Sequence, residues 1–456
     1  MKKLIIICNH FAPDNMIAAV RTTKFAKCFK KNGYEVIVIA EKKKDMIEDD
    51  ILKKDAEGIQ VIRVANSKRA EKILKRCKKI VAPLKEKKYD SLDNRVRINP
   101  KTGNKEFYPF ETAYPFLGSL DYLMELYRQY DLARQARKEI KTIKDADVLF
   151  SSYGDYFSIF ASIYFRRLNK EIPWIFDIRD AIYNYKFTPE YVIWIAKWFE
   201  NYLWKNADAI TAVSKGICRR VSKKYWHKVY CVTNGYDKND RQGIDYQSSN
   251  KKKMKFAYTG AMYGGIQNLA PVFKNIKKIL KEEKVDGNNI EFCFAGKESA
   301  YEIFKSQAEK YDLQNNCIYH GKLARKESLK LQMEADILLV STFDYQANIR
   351  GIITGKALEY MSANKPIVAI INGDIEHSEL ADIIRKGNLG CAYEEAHDET
   401  DNDKLYQYLL SKYEEYKING QVSHNPNKSV LQKYDYDYLG KKMLQIINNT
   451  CKGEKL

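Results

Sequence analysis

Twelve short apolar runs, each followed by an amphipathic helical stretch, constrain this chain more than any other feature. The first series falls at residues 4–8, 35–40, 60–64, 147–151, 174–178, 209–213 and 229–232. The second falls at 255–259, 291–295, 317–320, 336–340 and 367–371. Continuous apolar runs of this length suit strands covered by helices on both faces, as in a parallel sheet. Their alternation with helices argues for a doubly wound α/β arrangement. Two series predict two Rossmann-like domains, expected to face each other across a cleft. The break falls at Asn234-Gly235-Tyr236-Asp237 and the polar stretch 238–253, which reads as a linker. A second boundary lies at 420–428, around Pro426; beyond it Tyr438, Leu439, Met443, Leu444 and Ile447 fall at helical spacing. The expected domains are therefore 1–235 and 236–428, followed by a closing helical segment 429–456.

Residues 68–145 are too long for a plain crossover. Within them, 68–88 carries ten Lys/Arg against two Glu, with Ile73, Cys77, Ile80 and Leu84 at helical intervals. Pro83 is expected to end or kink that helix. A basic amphipathic helix is a form that lies on anionic membranes; an ordinary surface helix packed on its domain has the same pattern. The whole chain carries a net charge of +19, which points to an anionic partner. A Lys-favouring codon bias would give the same excess, though not its local clustering. No nucleic-acid module is present, and aromatics near the basic run are few, so nucleic acid is not an expected partner.

The nine cysteines include no CxxC pair and no neighbouring His pair, and several sit inside apolar runs. They read as reduced core thiols in a cytoplasmic protein, without zinc. The opening Met1-Lys2-Lys3-Leu4-Ile5-Ile6-Ile7-Cys8 imitates a signal peptide, but its apolar run stops at Asn9-His10. No stretch approaches the ~18 apolar residues of a spanning helix. The expectation is a soluble protein or one peripheral on the inner face of the cell membrane.

Ligands of doubly wound sheets bind at the carboxyl ends of strands, where four segments carry candidate chemistry. The loop Asn9–Asn15 enters a helix containing Arg21; it suits a diphosphate or sugar hydroxyl, or simply caps its helix. It has no GxGxxG, so a dinucleotide is a poor fit. Asp177-Ile178-Arg179-Asp180 closes a strand with three charges, costly in a core and natural at a rim; an Arg179–Asp bridge holding the loop is the alternative. Tyr258-Thr259-Gly260-Ala261-Met262-Tyr263-Gly264-Gly265 allows close backbone approach to a phosphate, or makes a plain turn. The most specific segment is Gly351-Ile352-Ile353-Thr354-Gly355-Lys356-Ala357-Leu358-Glu359-Tyr360-Met361. Lys356 in the first turn opposes the helix dipole, which suggests an external anion. Glu359 lies on the same face and can accept from ribose hydroxyls, or pair with Lys356. The six histidines are scattered, and neither GxSxG nor a Walker sequence occurs. Chemistry by binding and electrostatics fits better than a covalent nucleophile.

With those residues in view, the chain resembles glycosyltransferase family 4, of the GT-B fold, in branches that build bacterial surface polysaccharides. The likeness rests on Phe11-Ala12-Pro13-Asp14 with Arg21, Asn32-Gly33-Tyr34-Glu35-Val36, Ile178-Arg179-Asp180 and Thr233-Asn234-Gly235-Tyr236-Asp237. It rests further on Tyr258-Thr259-Gly260, Ala335-Asp336-Ile337-Leu338-Leu339, and Gly355-Lys356-Ala357-Leu358-Glu359-Tyr360 with Lys365-Pro366-Ile367. The resemblance implies that the second domain binds a nucleoside-diphosphate sugar and the first an acceptor. It implies retention at the anomeric carbon, a metal-independent reaction without cofactor, and a last helix crossing back to the first domain. Glu359 matches the second Glu of the family's paired-glutamate motif, which holds ribose. The first would fall at Gly351, and the usual Arg/Lys phosphate clamp finds Ala261 and Ile266 or Gln267.

The candidate donor-binding set is Thr259, Gly260, Gly296, His320, Gly351, Gly355, Lys356 and Glu359; the acceptor set is Asn15, Arg21, Arg179 and Asp180. Lys356 and Asp180 are the catalytic candidates. The expected activity is sugar transfer from a nucleotide-sugar to a lipid-linked or oligosaccharide acceptor, for capsule, O-antigen or exopolysaccharide. The competing readings are a sugar-nucleotide epimerase of similar fold and a catalytically degenerate partner protein.

Overall fold

The structure is a computed structural model that describes residues 2–43, 46–89, 96–98, 105–107, 115–180, 182, 190–246, 253–263, 267–282, 289–343 and 353–453. The chain divides into two compact units, one formed by Met1–Thr233 with Leu439–Leu456, the other by Asn234–Tyr438.

The strands of the first unit are β1 (Lys2–Cys8), β2 (Tyr34–Glu41), β3 (Gln60–Val64), β4 (Val96–Ile98), β5 (Lys105–Phe107), β6 (Val148–Tyr153), β7 (Trp174–Ile178), β8 (Ala209–Ala212) and β9 (Val229–Cys231). Seven of them form one sheet in the order β3-β2-β1-β6-β7-β8-β9, while β4 and β5 pair separately as an antiparallel ribbon. Every pairing in the larger sheet is parallel. Leu4 to Cys8 are all fully buried, as a strand covered on both faces requires. The main helices are α1 (Ile17–Lys31), α2 (Lys68–Tyr89), α3 (Pro115–Thr142), α4 (Tyr156–Leu168) and α5 (Glu190–Asn206).

The basic segment does not end at its proline. Helix α2 runs on through Pro83 to Tyr89; a proline removes one i→i−4 donor and leaves the flanking bonds of a long helix in place. Of the two readings of its apolar stripe, membrane-facing or packed on the domain, the packed one does not fit. Ala70 and Val81 are buried, and Val81 packs on Leu120 and Met124 of α3, whereas Ile73 is 37% and Ile80 68% exposed. The side chain of Leu84 lies outside the described residues.

The second unit carries β10 (Met254–Thr259), β11 (Ile290–Ala295), β12 (Cys317–Tyr319), β13 (Ile337–Phe343), β14 (Ile367–Asn372) and β15 (Gly390–Glu394). They form a parallel sheet in the order β12-β11-β10-β13-β14-β15. Strand β15 is the one that the apolar runs did not announce: after Gly390 only Cys391, Ala392 and Tyr393 are apolar. Alternate residues enter two cores. Phe256, Phe292 and Leu339 pack on one face with Phe304 and Leu405. Ala257, Leu338 and Ile371 pack on the other with Leu358 and Ile384. Helices α6 (Arg325–Glu334) and α7 (Gly355–Met361) flank the second face.

The last helix, α8 (Tyr436–Lys452), belongs to the first unit from Leu439 onward. There Tyr34 donates to Asn448 at 2.8 Å and Lys442 to the Cys231 carbonyl at 2.8 Å. Residues 429–438 pack instead with the second unit, where Leu431 and Tyr434 lie against its core. In each sheet the strand order reverses beside the first strand, at β1/β6 and at β10/β13. Such switch points, at the carboxyl ends of the strands, are where open α/β sheets take ligands.

Candidate functional site

The second unit's switch point is occupied by the turn after β10 and by α7. Thr259 ends β10 and is 4% exposed; its N–H donates to the Tyr360 hydroxyl at 2.9 Å. Its own hydroxyl accepts from Gln332 at 3.2 Å. Thr259 is therefore a fixed post for the turn. Gly260 follows with φ +99°, a conformation that side-chain-bearing residues rarely adopt. Gly296, after β11, lies so close that a Cβ there would sit 2.6 Å from the Gly260 carbonyl oxygen. The two strand ends thus touch backbone to backbone, with Gly260 N–H donating to Ala295 at 2.7 Å. His320 is exposed at the end of β12, its N–H on the Phe294 carbonyl. Partial desolvation holds its imidazole below the ordinary range, with Glu291 opposing.

Lys356 crosses from the first turn of α7 onto this turn. Its ammonium donates to the Tyr258 hydroxyl at 2.6 Å and to the Ala261 carbonyl, and sits 4.0 Å from the Tyr258 ring centroid. Its alkyl chain runs against Gly260. Burial lowers its pKa to about 7, with no compensating carboxylate among the described residues. The cation is held by neutral oxygens and a ring, an arrangement that an incoming anion completes. Gly355 is the first residue of α7, and Thr354 caps the helix by accepting from Ala357 N–H at 3.3 Å. Gly351 lies outside the described residues.

Glu359 does not pair with Lys356. Its carboxylate accepts from Gln332 at 2.7 Å and lies 3.4 Å from the Arg325 guanidinium. Arg325 also bonds Asp240 at 2.9 Å, and Arg241 donates to Gln332, Ser362 and the Leu329 carbonyl. Arg325, Arg241 and Gln332 were not singled out from sequence, and Tyr258 was quoted only within its strand-end motif without a role: they lie on different elements, and only the fold assembles them. Gln267, where the family's clamp would stand, is 4% exposed and ties the turn to β13, accepting from Tyr263 N–H and donating to the Ser341 carbonyl.

In the first unit, Arg21 is corrected from an acceptor contact to an internal latch. It is 2% exposed and makes a two-pronged pair with Asp177 at 2.9 and 2.7 Å. It also donates to the carbonyls of Val232 and Thr233. Burial pushes the Asp177 carboxyl up, but the Arg21 charge and hydrogen bonds from Arg21, Thr211 and Ser152 outweigh it and hold it below the usual range. Arg179 reaches away from the aspartates to the Ala18 carbonyl at 2.8 Å. Asp180 keeps solvent access at the end of β7; partial desolvation raises its pKa, with Arg179 opposing. Asn15 is partly buried, and its N–H bonds the Ile47 carbonyl at 2.9 Å. Helix α1 starts at Met16 without a side-chain cap.

Residues 253–409, which include the Tyr258–Gly260 turn and Glu359, match the family model Glycosyl transferases group 1. No curated protein matches the chain by sequence. Among solved structures, an alpha,alpha-trehalose-phosphate synthase (UDP-forming) from Burkholderia vietnamiensis is similar at 10% identity and TM-score 0.62, covering 99% of this chain and 100% of that one. Sucrose-phosphate synthase from Thermosynechococcus elongatus is similar at 11% identity and TM-score 0.58, covering 100% of both chains. The lipopolysaccharide outer core galactosyltransferase WaaB is similar at 13% identity and TM-score 0.53, covering 99% of both. Likeness at these identities establishes the fold: two parallel-sheet α/β units of the GT-B type. The family match within the second unit, taken with that fold, supports a GT-B glycosyltransferase.

Proposed function

We propose that the protein is a retaining glycosyltransferase that moves a sugar from a nucleoside-diphosphate sugar to a lipid-linked or oligosaccharide acceptor in surface-polysaccharide synthesis. The observation that carries this reading is Lys356, an ammonium lying on the strand-end turn of the family-matched unit and held, among the described residues, by neutral groups. In this reading Lys356 takes the diphosphate, and Glu359, oriented by Arg325 and Gln332, accepts from the ribose. The bond from the anomeric carbon to the diphosphate oxygen breaks while the acceptor oxygen bonds that carbon on the same face. The acceptor's hydroxyl proton passes to the departing diphosphate, so the protein supplies position and charge rather than a nucleophile. Asp180 of the first unit, with its raised pKa, is the acceptor-side carboxyl. The basic face of α2, with Ile73 and Ile80 outward, supports an acceptor presented at an anionic membrane surface.

Calorimetric titration with UDP, GDP, ADP and their sugar conjugates, without added metal, tests the donor site. One nucleotide is expected to bind saturably, with Lys356→Ala and Glu359→Ala each weakening it by about 1–3 kcal/mol. Unchanged affinity in both variants removes the site assignment. Absence of any nucleotide binding by folded protein favours a degenerate partner protein.

A further inference from the structure

Helix α5 turns an unexpected face to solvent. Its inward side is conventional: Val192, Ile193, Ala196 and Leu203 are buried at helical spacing. The opposite side, where polar residues belong on a surface helix, carries Trp194 at 74% exposure, Ile195 at 55% and Trp198 at 66%. Trp198 also borders a cavity of about 330 Å³ between α3, α4 and α5, lined by Tyr130, Phe160, Ile163, Tyr164, Phe199 and Tyr202. The rings interlock, with Tyr130–Phe160 centroids 5.8 Å apart and Phe160–Phe199 6.0 Å apart. Two arginines complete the lining, Arg137 and Arg167. Arg137 lies 4.8 Å over the Tyr164 ring and 6.0 Å from that of Tyr130, with no carboxylate in the groove.

We infer that this face of the first unit is a membrane-docking surface, with Trp194, Ile195 and Trp198 entering the headgroup region of an anionic phospholipid bilayer and Arg137 and Arg167 meeting lipid phosphates. Tryptophan is the side chain best suited to that boundary, with an apolar body and one N–H donor. Clustered exposed aromatics mark a surface that is covered in use. The charge distribution selects the occupant. Of the acids on these helices, Glu200 is paired with Arg220 and Asp131 with Arg134 and Ser67, and the exposed Glu125 and Glu139 do not line the groove. Arg134, Arg167 and Lys205 stay exposed. A positive rim around an aromatic patch complements a negative bilayer. The helices of the described residues include none long and apolar enough to span a membrane, so the contact is interfacial. The inference rests on the first unit alone and is independent of the donor site and of the transfer chemistry.

The test uses the full chain with vesicles of phosphatidylcholine, with and without roughly one-third phosphatidylglycerol. Wild-type protein is expected to co-sediment with the anionic vesicles, and acyl-brominated lipid is expected to quench its tryptophan emission. Trp194→Ser/Trp198→Ser should weaken partition by about tenfold or more and remove the quenchable fraction. Arg137→Gln/Arg167→Gln should weaken binding to the anionic vesicles selectively, with less salt dependence remaining. An unchanged melting transition of the first unit shows each variant to be folded, and nucleotide affinity measured alongside separates failure here from failure of the transfer reading. Equal vesicle binding by the tryptophan variant, or binding without bromine quenching, overturns the inference. So does a wild-type dimer that the tryptophan variant cannot form, which would make a second copy the occupant.

Discussion

Lys356 is held with a pKa of about 7 while its neighbours are a phenol, a carbonyl and a ring. An anion bound there favours the charged ammonium, so binding draws a proton onto the lysine wherever the free side chain is neutral. The sign follows: nucleotide affinity falls as pH rises from 7 toward 9, and a fraction of a proton approaching one is taken up per nucleotide at pH 8. Titrations at pH 8 in buffers of unlike ionisation enthalpy measure that uptake directly; Lys356→Met should abolish it. At the same scale lies the clearest misreading of the sequence. A cation just inside a helix after a strand-end loop looks like an anion site, and Arg21 fits that pattern. Its actual partner, Asp177, lies 156 residues away, and nothing in local spacing connects them. Lys356 and Glu359 were legible as unusual residues, but the partners of both had to come from the fold.

At the scale of elements, the apolar runs were sufficient because the central strands are buried on both faces, so their pattern does not depend on which neighbour they pair with; the edge strands β3, β9 and β12 are only partly covered. All twelve are strands in the structure, shifted by up to three residues at their ends. Strand β15 was missed because three apolar residues after a glycine give no periodic signal, and its place is fixed by pairing with β14. For α2 the apolar spacing left two readings open, a membrane-facing stripe and one packed on the domain, and the position of α3 leaves Val81 packed on Leu120 and Met124 with Ile73 and Ile80 exposed. The Arg21–Asp177 pair links α1, β7 and the segment after β9. Removing one partner strands the other as a buried charge, so Arg21→Ala should cost the first unit about 3–5 kcal/mol. The depressed pKa of Asp177 sets a pH dependence as well. Its contribution is full above the unfolded value near ~3.9 and is lost as pH falls through the lower folded value. Melting temperatures between pH 6 and about 2 should therefore drop less steeply in Asp177→Asn, which starts lower, than in the wild type.

At the scale of the whole molecule, the first unit is closed by residues from the end of the chain. Leu439, Met443, Leu444, Ile446 and Ile447 are each under 9% exposed in α8. At about 1.5–3 kcal/mol for each buried side chain, their sum is comparable with the entire stability of a domain. A chain ending at Tyr438 should lose the cooperative melting of the first unit and bind an apolar dye. The second unit, whose donor site owes nothing to α8, should keep its nucleotide affinity. Matching thermograms for the truncated and full chains would mean that α8 contributes little.

The same arrangement bears on how the protein is made. A ribosome releases the first unit's sheet early, yet α8 emerges only after the second unit's sheet has been completed. The unit whose synthesis begins first is thus completed after the second, and until α8 emerges its bare apolar flank is open to chaperones and proteases. A premature stop just before Leu439 would leave an intact second unit attached to an unfinished first one. Quality control in the cell then has one late checkpoint at which to distinguish a finished molecule from a fragment.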